Sequence, residues 1–184
     1  MQRDEAMALV RQHIKSESLV RHCLATEAVL RALAPRLGGD PDQWGLAGLL
    51  HDLDVELTNA DLNVHVLETV KILADHGVDP AIITAIKRHN EQAHGERRAT
   101  TFDFALAAGE TITGLIMATA LVYPDKKLAS VKVKSITKRM KEPAFARSVN
   151  REIIRECEKA GVPLDEFAAI ALQAMQSIST DLGL

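Results

Sequence analysis

Apolar residues recur along this chain at the three- and four-residue spacing that lines one face of an α-helix, and no stretch alternates apolar with polar for long enough to make a strand. The pattern predicts an all-α protein of roughly eight or nine helices. A first short helix covers 4–14, and Ser16 or Ser18 offers a capping oxygen to a second that runs to Leu37 and stops at Gly38-Gly39. Asp40-Pro41 opens a third, from Trp44 to about Val55. Asn59 or Asp61 caps a fourth that ends at His76-Gly77, and Asp79-Pro80 opens a fifth over 81–90. The polar, glycine-containing run 91–99 reads as a surface loop suited to act as a lid, after which Thr100 or Thr101 caps a long apolar helix over 104–123. Beyond Tyr123-Pro124-Asp125 come a basic helical stretch, a segment 143–160, a break at Gly161-Val162-Pro163 and a final amphipathic helix over 164–182.

Composition narrows the class. With 184 residues, 47% hydrophobic and 26% charged, the chain has the length and balance of one globular domain, which excludes disorder and fibre. A net charge of −3 gives no overall affinity for phosphate backbones, so nucleic acid is not expected as the main partner. The two cysteines, Cys23 and Cys157, form no C-x-x-C pair, which speaks against a disulfide scaffold or a thiolate zinc site and fits a reducing cytoplasm. No apolar block of signal-peptide length follows the acidic start Met1-Gln2-Arg3-Asp4-Glu5. The run 104–123 is long and apolar enough to suggest a membrane span, but Glu110 lies within it, so a buried core helix is expected and no membrane partner.

Polar side chains on apolar helix faces carry the chemical information, because an unpaired buried carboxylate costs several kcal/mol. The third helix reads Gly45-Leu46-Ala47-Gly48-Leu49-Leu50 and is then interrupted by His51-Asp52, and Glu110 is the only charged residue between Asp103 and Asp125. On the second helix His22 falls in the sector of Leu19, Val29, Leu30 and Leu33; His89 follows Ile82 and Ile86 at helical spacing; His65 lies beside Ile72 at the edge of its helix's apolar face. A lone inward histidine is commonly a satisfied core residue, and Asp52 alone is open to an ion pair with an arginine. Taken together the set lacks buried basic partners, and a shared divalent cation satisfies all of it. Imidazole with carboxylate, free of thiolate, suits iron, manganese, magnesium or similar ions more than structural zinc.

The order His22, then Leu46-Ala47-Gly48-Leu49-Leu50-His51-Asp52, then an acidic residue in a later apolar helix resembles the HD superfamily of metal-dependent phosphohydrolases. The resemblance spans about 19–122 and implies a single HD-type helical domain over 1–184, with helices of 126–182 packed on the metal-binding core. It implies that His22, His51, Asp52 and Glu110 hold one ion, and that His65 and His89 complete a second site with Asp52 bridging. The implied cofactor is one or two divalent ions, such as Mn, Mg, Fe, Co or Ni. The chain departs from the family in three places: Glu110 stands for Asp, His89-Asn90 for an adjacent His pair, and Val55 for a lysine three residues after the Asp that contacts phosphate.

The expected function is hydrolysis of a small phosphorylated substrate, a nucleotide or phosphomonoester, by metal-activated water. Lys87, Arg88, Lys126 and Lys127 are candidates to meet phosphate charge, and Asp54 and His94 to handle protons beside Asp52, although each reads more readily as a solvated surface residue. The basic stretch 126–141 reads as the solvated face of a helix. The alternatives are a two-iron oxygenase of the kind resembling myo-inositol oxygenase and a non-catalytic sensor of a phosphorylated ligand. The apolar face of the last helix, Leu164, Phe167, Ile170, Leu172 and Met175, suits the core or a second copy of the chain.

Overall fold

Capping residues set where the chain turns, and the computed structural model describes all 184 residues as helices and turns. In chain order the α-helices are α1 (Arg3–His13), α2 (Glu17–Arg36), α3 (Pro41–Leu50), α4 (Leu67–Asp75), α5 (Pro80–His89), α6 (Thr101–Leu121), α7 (Val133–Arg139), α8 (Arg151–Arg155), α9 (Cys157–Ala160), α10 (Leu164–Ser177) and α11 (Ser179–Leu182). The Asp40 carboxylate accepts from the backbone N–H of Asp42 and Gln43 to open α3, and Asp79 accepts from Ala81 to open α5, each with proline in the first turn. Thr100 and Asp103 close a reciprocal capping box at α6. Gly38, just past α2, has φ +73°, the left-handed conformation that glycine adopts without steric cost.

Helix α6 is the axis of the molecule. Leu106, Ala108, Ile112, Leu115, Ile116 and Ala120 are fully buried along it, and α2, α5, α8, α9 and α10 pack around it. It has the length and composition of a membrane span, yet most of it is buried against the rest of the chain. Trp44 of α3 stacks on Phe102 of α6 with ring centroids 4.8 Å apart. From the C-terminal part, α10 turns Phe167, Ala168, Ala171 and Met175 inward against α2 and α6. Both cysteines are free and buried.

Three sequence expectations are corrected. The third helix ends at Leu50, not near Val55, and 51–66 forms a run of tight turns. Neither Asn59 nor Asp61 caps the fourth helix, which begins only at Leu67. The physical reason is Asp54. Fully buried, its carboxylate accepts from the backbone N–H groups of Val66, Glu68 and Thr69 at 2.8–3.1 Å, so the first-turn donors of α4 are satisfied from 12 to 15 residues away. The third correction lies at 143–160, where turns precede two short helices, and the basic stretch keeps a helix only over α7.

Helix α3 packs closely against α2. A Cβ on Gly48 would stand 2.8 Å from the backbone carbon and oxygen of Thr26, atoms that cannot swing aside. Gly48→Ala therefore pushes α3 off α2 and is expected to lower stability by about 1–3 kcal/mol. Urea unfolding checks this, and an unchanged midpoint would refute the close packing.

Candidate metal centre

Five elements deliver the polar misfits to one place. His22 comes from the middle of α2, His51 caps the end of α3 with Asp52 following it, His89 is the last residue of α5, and Glu110 lies midway along α6. His65 belongs to the turn segment before α4 and not to the helix face the sequence pattern assigned it. His51, Asp52, His65 and His89 are buried and His22 is partly so.

The outer edge of every ring is engaged. His51 Nδ1 donates to the carbonyl of Gly48 at 2.9 Å and His89 Nδ1 to that of Ile86 at 2.6 Å. Thr113 gives its own hydroxyl proton to the carbonyl of Glu110 at 2.7 Å, so at 2.9 Å it accepts from His22 Nδ1. His65 Nδ1 donates to Asp54 Oδ1 at 2.7 Å. In a neutral ring whose Nδ1 carries the proton, Nε2 is a bare lone pair. All four Nε2 atoms face Asp52: 3.6 Å to Oδ2 for His22, and to Oδ1 3.4 Å for His51, 3.2 Å for His65 and 3.8 Å for His89. They also face each other, His22 to His51 and His65 to His89, both at 3.2 Å.

For His22 and His51, lone pair against lone pair at that distance is repulsive unless positive charge lies between. Two sets have ligand atoms all within 4.8 Å of one another, His22–His51–Asp52 and Asp52–His65–His89, so Asp52 belongs to both. The electrostatics agree. Burial, with the neighbouring His51, pushes His22 down to about 4, and burial with His51 and His65 pushes His89 down to about 3, so both rings are neutral at ordinary pH. Burial works to raise the Asp52 carboxyl, but the surrounding imidazoles overcome it and hold Asp52 well below the usual carboxylate range. His65 is the exception. Burial opposes its charge, yet hydrogen bonds to Asp52 and Asp54 carry it up to about 10, so in the metal-free protein it holds the proton that a cation displaces.

Glu110 stands beside the first set, with Oε2 3.9 Å from His22 Nε2 and Oε1 accepting from Thr111 at 2.5 Å. Burial lifts it to about 8, helped by the Asp52 charge and opposed by the Thr111 hydroxyl. Asp52, His65, His89 and Glu110 form part of the wall of a cavity of about 420 Å³, which Asn90, Glu91, Gln92, Arg98 and Asn150 also line.

Other expected site residues are placed elsewhere. Asp54 lies behind His65 with its oxygens taken by that ring and by backbone N–H groups, which makes it a positioning residue and not a proton carrier facing the cavity. His94 Nε2 contacts the carbonyl of Lys87 and its Nδ1 accepts from the Glu96 N–H, so both nitrogens are committed. Lys87 pairs with Glu96, and Arg88 with Asp103 at 3.0 Å. Lys126 and Lys127 are exposed in the turn after α6, and none of these four cations lines the cavity. Arg98, which does, was hidden in a polar run that carries no periodic signal.

An all-helical frame gathers four imidazoles around one buried carboxylate, groups that could hold divalent metal. The HD domain matches residues 19–121, more than half of the chain, and the protein belongs to that family. No curated protein and no solved structure matches it significantly. HD domains bind divalent metals, and the donors present here fit that group: inward lone pairs, outer edges anchored, and no thiolate.

Thr113→Val keeps the volume but removes the acceptor that fixes His22 in its ligating tautomer, so metal affinity is expected to fall roughly tenfold to a hundredfold with little loss of stability. Competitive chelator titration measures it. Asp54→Ala leaves the first turn of α4 and His65 unpartnered; unfolding free energy should fall by about 2–4 kcal/mol, and a cost within 0.5 kcal/mol would refute its capping role.

Proposed function

We propose that this protein is a metal-dependent phosphohydrolase acting on a small phosphorylated molecule. The observation that carries the reading is the facing pair of Nε2 lone pairs on His22 and His51, each ring already donating from its other edge, beside Asp52, which itself lines an open cavity. His22, His51 and Asp52, with Glu110 in reach, would hold one divalent ion, and Asp52, His65 and His89 a second. Such ions supply Lewis acidity, lowering the pKa of water toward neutrality and neutralising phosphoryl oxygens.

The chain's own residues do the positioning. Gly48, Ile86, Thr113 and Asp54 fix the four rings from behind, so the site is preorganised and little reorganisation accompanies binding. Asp52 spans both sets with its two oxygens and sets their separation. Burial of the donor atoms beneath the cavity excludes bulk water from the inner side while leaving the outer side open to a ligand.

The test joins metal quantification with a panel of nucleotides and phosphomonoesters, assayed with Mn²⁺, Mg²⁺, Co²⁺, Ni²⁺ and Fe²⁺ added separately. Phosphate release should appear with at least one redox-inert metal, vanish with chelator and return on readdition, while Asp52→Ala stays at background. Iron-dependent oxygen uptake with no phosphate release would replace this reading with oxygenase chemistry. Ligand-dependent thermal stabilisation without turnover would replace it with a sensor.

A further inference from the structure

Arg98 is the only lysine or arginine on the wall of the cavity that holds the metal residues. Its side chain is more than nine-tenths buried, with 8% exposed. Nε donates to Glu156 Oε2 at 2.6 Å, and Nη1 donates to the carbonyls of His89 at 2.9 Å and Arg88 at 3.2 Å. A guanidinium has five N–H donors. Three are used, and both on Nη2 remain without a protein acceptor.

A purely structural clamp between α5 and the Glu156 turn accounts for Nε and Nη1 only. The planar fork that orients those atoms also fixes where Nη2 sits, and because Nη2 is not among the buried unpartnered atoms it stays accessible to an acceptor from outside the protein. Because Arg98 grips the carbonyl of His89, its position is tied to a ring of the second metal set. Its charge also reaches Glu110, where it opposes the upward pull of burial. Val55, on the same wall three residues after Asp52, contributes no charge.

We propose that Arg98 Nη2 is the anion-binding point of this cavity and donates to a phosphoryl oxygen of the substrate. The inference rests on the phosphohydrolase reading for the identity of the anion. Its ligand is a phosphomonoester or, after hydrolysis, inorganic phosphate, held between the guanidinium and the metal-bearing wall.

The test titrates inorganic phosphate into the full-length, Mg²⁺-loaded protein by calorimetry, with metal content measured alongside. Arg98→Met should bind phosphate roughly tenfold to a hundredfold more weakly at unchanged metal content, and Arg98→Lys should recover part of the loss. Equal affinity in wild type and Arg98→Met would overturn the proposal. Should Arg98→Met fail to fold, the guanidinium nitrogen resonances of Arg98 in the wild type, assigned by their absence from Arg98→Lys, decide it: they shift on adding phosphate, or the proposal falls. Failure of the parent reading looks different. A protein that hydrolyses no ester yet loses phosphate affinity in Arg98→Met keeps the anion site and loses the enzyme. One that turns over with unchanged KM in Arg98→Met keeps the enzyme and loses the site.

Discussion

A carboxylate taken out of water needs positive charge or proton donors around it, and Asp52 is met by imidazole edges of which three are bare acceptors in their neutral form. Each ring's proton is drawn to the opposite nitrogen, for His51 and His89 by the carbonyl three residues back in the same helix and for His22 by the Thr113 hydroxyl of α6. Helix packing therefore controls the chemistry. Gly48 serves twice, since its missing Cβ lets α3 approach α2 and its carbonyl anchors His51. The spacing of His22 from His51 thus depends on the close contact of α3 with α2.

The second half of the cluster depends on a different device. His65 is carried on irregular backbone, and Val66 beside it has φ +90°, a conformation that a β-branched residue adopts only under strain of about 1–3 kcal/mol. Asp54 holds it there, accepting from the Val66 N–H with both oxygens while taking the proton of His65 Nδ1. One buried carboxylate thus caps α4, sustains the strained residue and orients a ligand ring. Strain of this kind persists only where surrounding contacts over-determine it, and here they converge on a candidate metal ligand.

What the sequence revealed, and what it hid, follows from the range of each interaction. Helix ends marked by Asp-Pro, Gly-Gly and Thr100 with Asp103 were readable because a cap and its partners lie within a few residues. His22 and His89 stood out because helical periodicity says which way a side chain faces, and Glu110 because it is the only charge in a long apolar run. The end of α3 did not, since Leu53 and Val55 continue the apolar pattern beyond Leu50 and the competing donors on Val66, Glu68 and Thr69 are remote. Arg98 looked no different from Lys87 or Arg88 in sequence. Only tertiary packing buries the first beside the cavity and ties the other two to Glu96 and Asp103.

The donor balance bears on what such a site favours. Four imidazoles bring no negative charge, so only Asp52 and Glu110 stand to neutralise bound cations directly, and Asp54 spends its charge on backbone N–H groups and on His65. A cage of carboxylates would leave a divalent ion nearly balanced and satisfied with water. A mostly neutral cage leaves it electron-poor, in a place where burial weakens screening and strengthens every remaining interaction. On the proposed reading, the partner that restores balance is an anion with several oxygens, reached from the cavity that Arg98 lines. The chemistry of the rings and the placement of the guanidinium then suit the same kind of ligand.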